Sequence, residues 1–205
     1  MRVVIGVAAA IVIATAALWF LWPTPALEVR NYPSRGTDII AIGDSLVVGT
    51  GAARTKGFVD MLSERVGRPI VNLGRVGDTS EQVLARIDEL DRYKPQVVIL
   101  LVGGNDYLKR IDREETAANI AQIILAIQER GAMVLLLGVR GGVFVDNFKP
   151  MYETLSETHG TAYVSDVLAG LLGNDDYMSD QIHPNTAGYE RITDRVYPEL
   201  ATLLQ

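Results

Sequence analysis

From residue 38 onward, short apolar runs alternate with longer segments in which apolar residues recur every three or four positions. The runs at 39–42, 70–73, 97–102, 133–137 and 162–164 are built mainly from Ile, Val, Leu, Met and Ala with little polar alternation, the pattern of strands covered on both faces. Between them lie helical patterns. Residues 57–66 carry Phe58, Met61, Leu62 and Arg65 at helical spacing, and residues 112–130 carry Ile120, Ile123, Ile124 and Ile127 on one face. A helix is expected to open at Asp78 or Thr79, with Glu81 and Gln82 placed for a capping box and Val83, Leu84, Ile87 and Leu90 inward. Asp112 and Glu115 offer a second capping box, and further helices are expected at 150–159 and 185–204. Strands alternating with helices predict an α/β protein, a flavodoxin-like three-layer α/β/α sandwich around a five-stranded parallel sheet.

The N-terminus stands apart from this alternation. Val3 to Trp22 holds no charge and only apolar or small residues, and as a helix it would span about 30 Å, the thickness of a bilayer core. Arg2 precedes it; Trp19, Phe20 and Trp22 cluster at its far end, and Pro23 and Pro25 stop it. This predicts a transmembrane signal anchor over residues 1–25, followed by an irregular linker over 26–37 and one domain over 38–205. A cleaved signal is the alternative, but its nearest cleavage site, Thr24-Pro25-Ala26, is poor. Either reading places Leu27 onward outside the cytoplasm, in the periplasm, tethered to the membrane or released from it.

Charge and composition narrow the chemistry. The net charge of -6 gives no electrostatic footprint for nucleic acid. The absence of cysteine removes disulfides, thiolate metal sites and cysteine nucleophiles, and two histidines are too few for a multi-histidine metal site.

In a doubly wound sheet, ligands bind beyond the carboxyl ends of the strands, so the residues that follow each strand matter most. Gly43-Asp44-Ser45-Leu46 follows the first strand and Gly74-Arg75-Val76-Gly77-Asp78 the second. Gly103-Gly104-Asn105-Asp106 follows the third, a glycine-rich loop at 140–148 the fourth, and Asp180-Gln181-Ile182-His183-Pro184 comes after the fifth. A serine hydroxyl is a weak nucleophile until a base takes its proton, and an imidazole does that near neutral pH. Ser45 is therefore the candidate nucleophile, His183 its base, and Asp180, three residues earlier, the carboxylate that holds the imidazole. The backbone N–H groups of Ser45 and Gly74 and the side-chain amide of Asn105 are candidate donors for an oxyanion hole. No cofactor or metal is needed. His159, just before Gly160, is expected to cap a helix end. Val143, Phe144 and Phe148 are candidates for an acyl-chain site, with simple packing under the sheet edge as the competing reading.

These blocks resemble the SGNH (GDSL-type) hydrolases. Gly43-Asp44-Ser45-Leu46 is similar to their first motif, and Gly74 within residues 72–80 to the second. Gly103-Gly104-Asn105-Asp106 is similar to the G-x-N-D block and Asp180-Gln181-Ile182-His183 to the D-x-x-H block. Gly77-Asp78-Thr79-Ser80 in particular is similar to the lysophospholipase/thioesterase I and arylesterase branch. The resemblance implies the same triad and oxyanion hole and a carboxylic ester hydrolase acting on acyl esters, lysophospholipids or thioesters through an acyl-serine. Loop 140–148 departs from the branch and leaves substrate choice open. A carbohydrate O-acetylesterase of the cell envelope and, from another class, an inactive membrane-tethered binding module are the competing readings.

Overall fold

A computed structural model describes residues 28–141 and 146–205. The predicted membrane segment at 1–25, and Val143 and Phe144, lie outside the described residues. Among the described residues no helix is long and apolar enough to cross a membrane.

Five strands form one parallel sheet: β1 (Asp38–Gly43), β2 (Ile70–Gly74), β3 (Pro95–Leu101), β4 (Met133–Leu137) and β5 (Ala162–Val164). Their spatial order is β2-β1-β3-β4-β5, with every neighbouring pair parallel. The order reverses direction between β1 and β3, which places the topological switch point beyond Gly43 and Leu101, where doubly wound sheets bind ligands.

Among the described residues the α-helices are α1 (Ser45–Val48), α2 (Phe58–Val66), α3 (Ser80–Leu84), α4 (Gly104–Leu108), α5 (Arg113–Glu129), α6 (Lys149–His159) and α7 (Thr186–Leu203). The period-2 geometry of the strands divides the core in two. Ile39, Ala41, Val97, Ile99, Leu101, Leu135 and Leu137 face α2 and α7, meeting Phe58, Leu62, Tyr189, Ile192, Val196 and Leu200. Ile40, Ile42, Val98, Leu100, Val134 and Leu136 face the other way, onto Val83, Leu90, Ile120, Ile123, Ile124, Ile127 and Tyr152. Each such side chain is fully or almost fully buried, worth about 1.5–3 kcal/mol for each Val, Leu, Ile or Phe, so the sheet is a rigid platform for the loops at its carboxyl edge.

Three departures from the sequence pattern matter. The helix expected to run on through Leu90 stops at Leu84, and residues Ile87–Arg92 form a separate 3-10 turn. Arg86 leaves the helical path at φ -121 and turns its side chain inward, while Val83, Ile87 and Leu90 keep their buried positions. The short helix α4 follows β3 directly, entered through Gly103 at φ 119, in a stretch where no helical periodicity is long enough to be read. The segment before β1 is irregular as expected, yet it is fastened to the domain. Asn31 Nδ2 donates to the carbonyls of Gln128 (2.8 Å) and Ala132 (3.0 Å), and Arg30 N donates to Gly160 O (2.8 Å).

Candidate active site

Ser45 is the first residue of α1, directly beyond β1. Its approach is fixed by Gly43, where a Cβ would stand 1.8 Å from the Leu101 carbonyl oxygen; only glycine lets β1 pass that close to β3 and turn. Asp44 caps the helix, its Oδ1 accepting from Leu46 N at 2.9 Å. Ser45 is 8% exposed, and its own N–H, in the first turn, has no acceptor among the described residues.

His183 arrives from the far end of the chain, 138 residues away. Its Nε2 lies 3.1 Å from Ser45 Oγ, and its Nδ1 lies 2.7 Å from Asp180 Oδ2. The three-residue spacing has a local cause. Asp180 Oδ1 accepts from the backbone N–H groups of Ile182 (2.8 Å) and His183 (2.7 Å), closing an Asx-type turn that leaves Oδ2 aimed at the imidazole. The turn is tied back by Ser179, whose N and Oγ donate to the His183 carbonyl at 2.9 and 3.0 Å. The imidazole and these two N–H donors hold the Asp180 carboxyl down at about 2, although its side chain is half exposed.

Asn105 sits in the first turn of α4. Its Nδ2 donates to the Asp78 carbonyl at 3.0 Å and approaches Asp44 Oδ2 at 3.5 Å, which brings the second and third loops against the first. Asp44 itself is 2% exposed. Burial raises its carboxyl from 3.8 to about 7, against the pull of the Leu46 N–H and the charge of His183.

The expected donor Gly74 does not join this group. It is the last residue of β2; its N–H donates to Asn72 Oδ1 at 2.9 Å, and a Cβ there would stand 2.6 Å from Val48 N of α1. Strand β2 ends there, and the chain makes a further turn before α3. In that turn Gly77 takes φ 85, a conformation suited to glycine, and its N–H has no acceptor among the described residues. It adjoins Asp78, the residue whose carbonyl accepts from Asn105. The usable signal was the capping box that follows: Thr79 and Gln82 fix where α3 begins, and hence which glycine borders the site.

A cavity of about 580 Å³ opens from this cluster. Asp44, Ser45, Asn105 and His183 line it together with the apolar side chains of Leu108, Val139, Leu168, Leu172, Met178 and Ile182. Phe148 does not line it. That ring is 4% exposed and packs edge-on to Tyr107 and Tyr152, at centroid distances of 5.9 and 6.3 Å, so the packing reading holds for it. His159 ends α6 away from the cavity, and burial together with the charge of Arg30 keeps its imidazole below its usual range.

A family profile, that of the GDSL-like lipase/acylhydrolases, matches residues 41–191. The chain belongs to this family. The match runs from within β1, ahead of Ser45, to beyond His183, so both ends of the hydrogen-bonded chain fall inside it. Among its relatives, the chain is 30% identical over 191 residues to esterase TesA of Pseudomonas aeruginosa, covering 87% of this chain and 95% of that one. It is 26% identical over 197 residues to thioesterase 1/protease 1/lysophospholipase L1 of Escherichia coli K12, covering 90% and 95%. Among solved structures, TesA superposes with a TM-score of 0.77 at 31% identity, over 82% of this chain and 99% of that one. The psychrotrophic esterase EstA from Pseudoalteromonas, in a structure inhibited by monoethylphosphonate, gives a TM-score of 0.72 at 25% identity, over 82% and 99%.

Proposed function

We propose that this GDSL-like hydrolase cleaves acyl esters through a covalent acyl-Ser45 intermediate. The observation that carries the reading is the unbroken chain Ser45 Oγ–His183–Asp180, at 3.1 and 2.7 Å, in the wall of a cavity lined largely by apolar side chains. The chain is a carboxylic ester hydrolase of the SGNH type. Ser45 Oγ attacks the acyl carbon while His183 Nε2 takes its proton. Asp180 holds the Nδ1–H and stabilises the imidazolium. Negative charge on the former carbonyl oxygen is met by the Ser45 N–H, the Gly77 N–H and Asn105 Nδ2, with Gly77 in the place first given to Gly74. Collapse of the tetrahedral species expels the alcohol or thiol, which leaves with the proton from His183. Water, deprotonated by the same nitrogen, then attacks the acyl carbon, and collapse of the second tetrahedral species releases the acid and returns the proton to Ser45.

The apolar walls suit an acyl chain, and esters, lysophospholipids and thioesters are the substrate classes. Residues 1–25 act as a membrane anchor, 26–37 as the linker and 38–205 as the catalytic domain, held on the periplasmic side. The uncharged stretch from Val3 to Trp22 supports this arrangement.

The test is turnover of p-nitrophenyl esters from acetyl to palmitoyl by the native chain and by Ser45→Ala. Loss of about 10³-fold or more is expected for the variant. Near-native turnover would reject the nucleophile, and activity confined to acetyl groups would favour an O-acetylesterase.

A further inference from the structure

Arg86 is the residue at which the expected helix breaks, and its side chain is only 8% exposed. Nε donates to Asp78 Oδ2 at 2.7 Å, Nη2 to the Gly43 carbonyl at 3.1 Å, and Nη1 to Glu89 Oε2 at 3.3 Å. The Gly43 carbonyl also accepts from Arg75 N at 3.0 Å, and Glu89 receives the Arg75 guanidinium as well. One buried cation thus ties the end of β1, the turn after β2 and the 3-10 turn together.

Two of these acceptors lie next to the groups assigned to the oxyanion hole. Gly43 begins the Gly43-Asp44-Ser45 turn that aims the Ser45 N–H. Asp78 follows Gly77 directly and its carbonyl fixes the Asn105 amide at 3.0 Å. Burying an ion pair adds little net stability compared with apolar packing, so stability alone is a weak reason for a guanidinium here. Its fork geometry is suited to something else. Donors on separate, divergent nitrogens of one rigid plane reach a carboxylate and a carbonyl on different loops at fixed relative positions, a wider span than the three N–H groups on the single nitrogen of an ammonium cover.

We propose that Arg86 is a positioning residue for the oxyanion hole, setting the Gly77, Asn105 and Ser45 donors relative to one another by clamping Asp78 to Gly43. The proposal rests on the acyl-serine reading above. Arg86 touches no reacting atom; it acts through Asp78 and Gly43, and its loss is expected in kcat rather than in substrate binding.

The experiment compares Arg86→Gln, Arg86→Lys, Asp78→Asn and the double variant Asp78→Asn/Arg86→Gln with Ser45→Ala. Each is assayed on a short p-nitrophenyl ester and with a fluorophosphonate, below the unfolding temperature that circular dichroism gives for it. For Arg86→Gln, kcat is expected to fall about 10- to 100-fold, the scale of small misplacements of catalytic groups, with the phosphonylation rate falling in step. KM should move by less than about threefold, because the donors act on the transition state. Arg86→Lys should regain thermal stability without regaining kcat. The double variant should be no slower than the slower single one, because both changes release the same turn. Folded Arg86→Gln or Arg86→Lys with near-native kcat, a rise in KM alone, or losses that multiply in the double variant would overturn the clamp. If Arg86→Gln does not fold, Arg86→Lys and Asp78→Asn decide by the same criteria. A Ser45→Ala protein that still turns over ester would instead reject the acyl-serine reading beneath it.

Discussion

Replacing Asp44 with asparagine is expected to stabilise the protein progressively as pH rises. Asp44 lies under the nucleophile, almost wholly buried, and its carboxyl is raised from 3.8 to about 7 chiefly by that burial. The charges of Asp106 and Asp78 push in the same direction. The sign follows from linkage. Below about pH 4 the carboxyl is protonated in both folded and unfolded chains and costs nothing. As pH rises the unfolded chain releases the proton while the folded chain keeps it, so stability falls until about pH 7 and the full cost remains above that. The gap between 3.8 and about 7 corresponds to an upper bound of about 4 kcal/mol, and relaxation around the ionised group reduces what is measured to about 2–4 kcal/mol. Asparagine keeps the Oδ1 acceptor that caps α1, so the helix start is preserved while the titrating group is removed. Urea unfolding of both proteins at about pH 4.5, 6 and 8 measures the difference. A difference that stays flat across that range, or is largest at the acid end, would refute the reasoning.

Asn105→Ala should lower kcat by about 10²- to 10³-fold with folding intact, because its amide reaches the acyl oxygen only as charge develops; unchanged kcat on a p-nitrophenyl ester would remove it from the hole. Asp180→Asn should cost about 10²- to 10³-fold, less than the about 10⁴-fold of a buried triad carboxylate, because water reaches its half-exposed side chain; steady-state kinetics at saturating ester check this. Leu172→Trp should shrink the cavity and lower kcat/KM for a long acyl ester about tenfold more than for an acetyl ester, and equal effects on both would move the acyl chain elsewhere.

Much of this architecture was legible because parallel strands buried on both faces write themselves as unbroken apolar runs. Residues 133–137 and 162–164 coincide with β4 and β5, and α5 and α7 begin beside their capping residues Asp112 and Asn185. The proximity of Ser45, His183 and Asp180 was legible for a related reason, since a parallel sheet sends every strand-end loop to one edge and so gathers Ser45 and His183 across 138 residues. What stayed hidden depended on side chains acting at a distance. Gly74 and Gly77 are both glycines near the end of a strand. Only the Asn72 side chain, which takes up the Gly74 N–H, and the capping box at Thr79 separate them. Arg86 falls within a continuous apolar spacing, and nothing in that spacing records that its guanidinium turns inward. Phe148 follows a glycine-rich stretch that leaves its two readings, acyl-chain site or packing, equally open; the aromatic contacts with Tyr107 and Tyr152 that bury it come from residues 41 positions before and four after.

The central claim is that Ser45 is the nucleophile activated by His183. It is tested most directly by treating the native chain with a fluorophosphonate and locating the adduct by peptide mass spectrometry. One phosphonyl group per chain on Ser45 is predicted, with labelling abolished in Ser45→Ala and strongly slowed in His183→Ala. An adduct on another residue, or labelling of Ser45→Ala at the native rate, would contradict it.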